Sequence, residues 1–123
     1  QWRAETKASE RPLIDNVLSR AISKSLLGTK NSASGLVTEV FVMDNKGLNV
    51  GQSDVTSDYW QGDEAKWQET YLAGADAVLI DDVEFDESTQ TFQSQLSLPI
   101  VDPDTGDVIG AATFGIDVDA LLR

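Results

Sequence analysis

The chain has no cysteine and no histidine. Thiol nucleophiles, imidazole general bases, zinc fingers and ordinary zinc catalysis are therefore excluded. The lack of cysteine suits a bacterial secreted or periplasmic domain, but it suits many other proteins too. Basic residues are scarce and scattered: 9 Lys and Arg stand against 21 Asp and Glu, for a formal charge of −12. Nucleic-acid binding needs clustered positive charge, so no DNA or RNA partner is expected. Attraction to anionic lipid surfaces is disfavoured for the same reason. No apolar run approaches the roughly 20 residues that cross a bilayer. The chain opens on Gln1-Trp2-Arg3, with neither an initiator Met nor a signal peptide, and reads as a segment of a longer protein. There is no Gly-x-Ser-x-Gly elbow, internal repeat or low-complexity tract.

What is present describes one folded unit. A chain of 123 residues can bury a single core, and 41% hydrophobic with 24% charged residues is ordinary for a globular domain. Residues 1–123 are therefore read as one domain. Solubility is the simplest meaning of its acidity.

Residues 9–27 predict a helix, because Ile14, Val17, Leu18, Ala21, Ile22 and Leu26 recur at three- and four-residue spacing. Pro12 suits its first turn and Gly28 the position just past its end. Its apolar stripe packs on the core or pairs with a second copy of the chain. After a loop over 29–35, residues 36–44 predict a strand covered on both faces. Asn45-Lys46-Gly47 is a turn, and 48–52 returns as a second strand.

Residues 53–62 are polar and irregular, and 63–72 predict a helix. Trp60, Glu64, Trp67 and Tyr71, spaced 4, 3 and 4, share one face if the winding starts early. The segment thus reads as an aromatic lid over a hairpin, a common way to enclose a small molecule. Three further strands are predicted over 77–85, 91–101 and 108–116, joined by turns at 86–90 and 102–106. Residues 119–123 look like the opening of another helix. The fold class is α+β: a five-stranded antiparallel sheet over 36–117, with a long N-terminal helix and a helical lid.

The first hairpin (residues 40–54, VFVMDNKGLNVGQSD) and the last (residues 97–121, SLPIVDPDTGDVIGAATFGIDVDAL) resemble those of the single-Cache, or PDC, sensor domain, a PAS-like extracytoplasmic unit. The similarity spans about residues 8–121. It implies a periplasmic or extracellular input domain of a bacterial inner-membrane receptor, anchored through flanking helices outside this sequence. Its output would be a chemotaxis module, a histidine kinase or a diguanylate cyclase. It implies a small ligand, a carboxylate or amino-acid-like metabolite, held between sheet and lid, with no cofactor and no metal. Homodimerisation through the N-terminal helix is a further expectation.

In amino-acid-binding relatives an Arg beside an aromatic clamps the ligand carboxylate and a final Asp pairs with its ammonium. Here Lys66-Trp67 and Asp117 stand at those places, and Lys lacks the bidentate fork of Arg. Tyr59, Trp60, Lys66, Trp67, Tyr71, Thr113 and Asp117 are the candidate ligand-binding residues. Each has a structural alternative: the aromatics pin the lid to the sheet, Lys66 is solvated, and Asp117 caps a helix from Val118. Gly110, Ala111, Ala112 and Gly115 leave room for a ligand or for a packed helix. Asp54, Asp58, Asp63 and Glu64 could hold a hard cation or simply line a solvated loop. Asp102-x-Asp104 lacks the remaining ligands of a calcium loop. A ligand-free dimerisation module and a small hydrolase are the alternative functions, the latter lacking any placed base and nucleophile.

Overall fold

The computed structural model describes residues 1–86 and 90–122. The turn expected over 86–90 and the end of the helix expected over 119–123 lie partly outside them.

Three helices precede the sheet: α1 (Trp2–Glu5), α2 (Pro12–Ser19) and α3 (Ala21–Ser32). The single helix expected over 9–27 is interrupted at Arg20, whose ψ of 150° is extended. The break is held by tertiary bonds. Ser23 Oγ donates to Val17 O and accepts from Gln52 N, and Arg20 Nη1 donates to Val50 O. Gly28 does not end the helix, which runs on to Ser32. α1 was not expected. Its Trp2 is buried with Ile14 and Val17 and stacks on Tyr59 at 5.3 Å. Its Glu5 accepts from Ile14 N and so serves the open N-terminus of α2.

The sheet is antiparallel, in spatial order β2 (Asn49–Gln52), β1 (Val37–Met43), β6 (Val108–Asp117), β5 (Thr91–Val101), β3 (Leu79–Ile80), with β4 (Glu84–Asp86) also paired to β5. The strand expected over 77–85 is present as β3 and β4. Between them the chain leaves the ladder after Asp81, whose N–H still donates to Gln95 O while its carbonyl accepts from Ser94 Oγ. Among the described residues the sheet therefore has six strands, where five were expected, and the class is α+β.

In the β1–β2 turn Asp44 Oδ1 accepts from Lys46 N and Leu48 N, and Gly47 takes φ +86°. A Cβ at Gly47 would lie 2.6 Å from Gly62 Cα, so only glycine lets the turn seat against the following segment. α3 packs on β1 and β2, with Ile22 filling the space over Gly51. The opposite face carries the lid. There Glu39, Gly115 and Gln95 form one row, Phe41, Thr113 and Ser97 the next, and Met43, Ala111 and Pro99 a third.

The lid helix is short: α4 (Ala65–Gln68), where 63–72 was expected. Thr70 Oγ1 bonds back to Lys66 O at 2.6 Å, competing with the helical ladder, and Gly74 turns the chain at φ +111°. β6 runs into α5 (Val118–Leu121). No helix of the described residues is long and apolar enough to cross a membrane.

Candidate functional site

A cavity of about 260 Å³ lies between the lid and the sheet. Its floor is Glu39 and Phe41 of β1 with Gln95 of β5, and its walls include Thr56, Gln61, Glu64 and Lys66. The lining is mostly polar, with Phe41 and Val55 its apolar members, and several polar groups converge on one space, as they do in sites that orient a small polar ligand. A second hollow of about 550 Å³ continues along the sheet past the shared Glu39 and Gln95, bounded by Asp81, Asp82 and Glu84. It is larger, but no lid residue lines it.

Of the seven candidate ligand-binding residues read from sequence, Lys66 alone lines the lid cavity; Glu64, from the acidic group, lines it too. Its Nζ lies 2.9 Å from Glu64 Oε2 and 5.5 Å from the centre of the Phe41 ring. Trp67 and Tyr71 stack on each other at 5.2 Å and pack against Phe41, Met43 and Ala111. Trp67 Nε1 donates to Asp44 O at 3.0 Å. These two rings fasten the lid to the hairpin beside the cavity.

Tyr59 and Trp60 are not brought to them. The winding does not start early: Trp60 pairs with Leu48 as an extended bridge, its indole covers Gly62, and Nε1 donates to Lys46 O. Tyr59 and Trp60 line a separate cleft of about 470 Å³ with Trp2 and Arg3.

Thr113 is fully buried on the lid face of β6, its Oγ1 sharing a hydrogen bond with Ser97 Oγ at 2.8 Å. Asp117 lies on the same face one row beyond Gly115, opposite Gln93, and its Oδ1 accepts from Ala120 N as the cap of α5. Asp117→Ala should therefore lower stability by about 1 kcal/mol and Asp117→Asn by less, read by urea unfolding. The carboxylates first grouped as a cation site are mostly engaged: Asp54 with Lys30, Asp58 with Arg3, Glu64 with Lys66.

Glu39, Thr56, Gln61 and Gln95 were missed from sequence. Glu39 had a signal: it is the one charged residue inside β1, in a stretch read as covered on both faces. Burial holds its carboxyl above the usual value near 4.5, with Asp54 pushing the same way and Lys66, Lys30 and the Gln95 bond opposing. The folded chain thus binds this proton more tightly than the unfolded chain. Stability is lost as pH rises from about 4.5 through the raised value. Glu39→Gln should melt higher than the parent at pH 7 and no higher at pH 4, as followed by circular dichroism.

No protein-family model matches the sequence, and no curated protein matches it. Solved structures match in fold. The ligand-binding domain of the Campylobacter jejuni chemoreceptor Tlp3, in complex with 4-methylisoleucine, aligns with a TM-score of 0.59 at 15% identity, over 96% of this chain and 47% of that one. That of the Pseudomonas aeruginosa amino acid chemoreceptor PctC, in complex with GABA, gives 0.55 at 14%, over 96% and 48%. The sensor domain of the Vibrio cholerae histidine kinase DctB gives 0.55 at 13%, over 91% and 45%. The chain spans about half the length of these structures. Its fold is the sensor-domain fold of chemoreceptors and histidine kinases, in agreement with the resemblance drawn from its two hairpins.

Proposed function

We propose that residues 1–123 are a single sensor domain, the extracytoplasmic input of a bacterial membrane receptor, which binds a small carboxylate or amino-acid-like metabolite under its lid. The observation that carries this reading is the cavity of about 260 Å³ between lid and sheet, with Phe41 below and Glu39, Lys66, Gln61 and Gln95 around it. In this reading the domain binds and does not catalyse. The receptor is held in the membrane through segments outside this sequence and pairs with a second copy through its N-terminal helices, where Ile22 and Leu27 are exposed.

Transmission is a population shift. The lid begins at Asp54, which pairs with Lys30 of α3 at 2.8 Å, and β2 leads into it through Gln52, whose N–H bonds Ser23 of the same helix. A ligand that draws residues 53–72 onto the sheet favours one position of α3 through these ties, by its differential affinity for the two states. A coupling of about 1–3 kcal/mol would be typical. Of the residues first assigned to the site, Lys66 lines it, Trp67 and Tyr71 hold the lid, Thr113 lies beside Phe41 in the sheet, Asp117 lies one row beyond Glu39 and Gln95, and Tyr59 and Trp60 line another cleft.

The test is a melting screen against small carboxylates, amino acids, amines and divalent cations. A true ligand at 100 Kd stabilises by about 2.7 kcal/mol. If no compound raises Tm, the domain is a ligand-free pairing module instead.

A further inference from the structure

Glu39 is built into the floor in a way that packing alone does not require. The β1–β6 register shifts between Val37 and Glu39, a bulge at Thr38. Bulges re-aim side chains and are frequent beside binding sites. Gly115, opposite, clears the space: a Cβ there would lie 3.0 Å from Glu39 Cγ and would collide with Thr38 Oγ1. The carboxylate placed by this arrangement is poorly served. It takes part in no ion pair among the described residues, and Gln95 Nε2 donates to it at 3.4 Å, near the limit of a hydrogen bond. A largely buried, unpaired carboxylate calls for a partner.

We propose that the missing partner is the ligand's ammonium group, so that the cavity selects a small primary amine or amino acid and rejects a carboxylate that has no amine. This rests on the reading of the cavity as a ligand site. Among the described residues Lys66 is the one cation lining the cavity, and it is already paired with Glu64. One negative charge, that of Glu39, is left uncompensated. Among the described residues an arriving anion finds no unpaired cation in the cavity, whereas an ammonium finds a waiting carboxylate and the amide oxygen of Gln95. The carboxylates of Asp81, Asp82 and Glu84 bound the adjoining hollow and favour the same sign of ligand. The acceptor is thus on the first strand of the sheet, and Asp117 is left to cap α5.

Calorimetric titration of the full chain at pH 7.5 tests this with matched probes. Isobutylamine, L-valine and isovalerate share one carbon skeleton and carry an ammonium, both groups, or a carboxylate. The corresponding sets of three to six carbons complete the panel. At least one amine or amino acid is expected to bind, with its carboxylate-only partner at least tenfold weaker. Glu39→Gln, checked for fold by circular dichroism, is expected to weaken the best amine by tenfold or more, and Glu39→Asp by less.

The amine's affinity is expected to fall as pH is lowered toward 4. The fall should flatten in Glu39→Gln, which separates Glu39 from Lys66, Glu64, Lys30, Asp54, Asp81, Asp82 and Glu84, the other charged groups around it. Carboxylates binding as well as their amines, or Glu39→Gln binding amines as tightly as the parent, overturns the assignment and leaves the sensor reading standing. Silence across all three classes overturns both.

Discussion

Phe41→Ala should destabilise the domain by about 3–4 kcal/mol, the usual range for emptying a ring-sized space in a core. Phe41 is 2% exposed and shares its cluster with Met43 and Ala111, with Trp67 and Tyr71 packed against them. It is also part of the floor of the lid cavity, and the Lys66 ammonium lies over its ring. Removing the ring leaves a void under the lid that the backbone cannot close, because β1 is paired on both sides, with β2 and with β6. For a domain of this size the loss corresponds to a drop in Tm of about 10–15 °C. Phe41→Leu, which keeps most of the volume, should cost less than about 1.5 kcal/mol. Urea unfolding checks both, with the midpoint falling and the slope unchanged. A cost for Phe41→Ala below about 1 kcal/mol would mean that the lid does not rest on this floor.

Trp67→Ala should cost about 2–3 kcal/mol and weaken ligand binding tenfold or more, although Trp67 does not line the cavity. The indole contributes its stack on Tyr71, its hydrogen bond to Asp44 O and its packing on the Phe41 cluster. It is half-buried, so the loss is smaller than for Phe41. Its removal unfastens residues 64–71 from the hairpin, and the walls supplied by Glu64 and Lys66 go with them. Trp67→Phe keeps the stack and loses the bond, and should cost about 1 kcal/mol. Amide exchange over 53–72 should accelerate in Trp67→Ala while α2 keeps its protection. Unchanged affinity in Trp67→Ala would separate the lid's fastening from binding.

The parts of the fold that read directly from sequence are those decided locally. β5 and β6 follow from alternation and from turn residues, and the β1–β2 turn follows from Gly47 and the Asp44 side chain. What did not read directly was decided by distant partners. The interruption at Arg20 falls inside a continuous helical pattern, and its cause is the meeting of Ser23 with Gln52, 29 residues on. Thr70 shortens the lid helix through its own side chain, an effect that apolar periodicity does not register.

The site was partly legible for the same reason. Spacing put Trp60 on one face with Trp67, but spacing is informative only where the chain is helical, and Trp60 is extended against Leu48. Lys66 was found through the family resemblance, because Lys66-Trp67 stands where amino-acid-binding relatives have an Arg beside an aromatic. Glu39 and Gln95 were not, because their meeting depends on how β1, β6 and β5 align, with Gly115 between them.

The most direct measurement of the central claim is amide chemical-shift mapping of the domain with the compound from the melting screen that raises Tm most. Perturbations concentrated at Glu39, Phe41, Thr56, Lys66 and Gln95 are the predicted result. Perturbations centred on Trp2, Tyr59 and Trp60, with the residues under the lid unmoved, would contradict it.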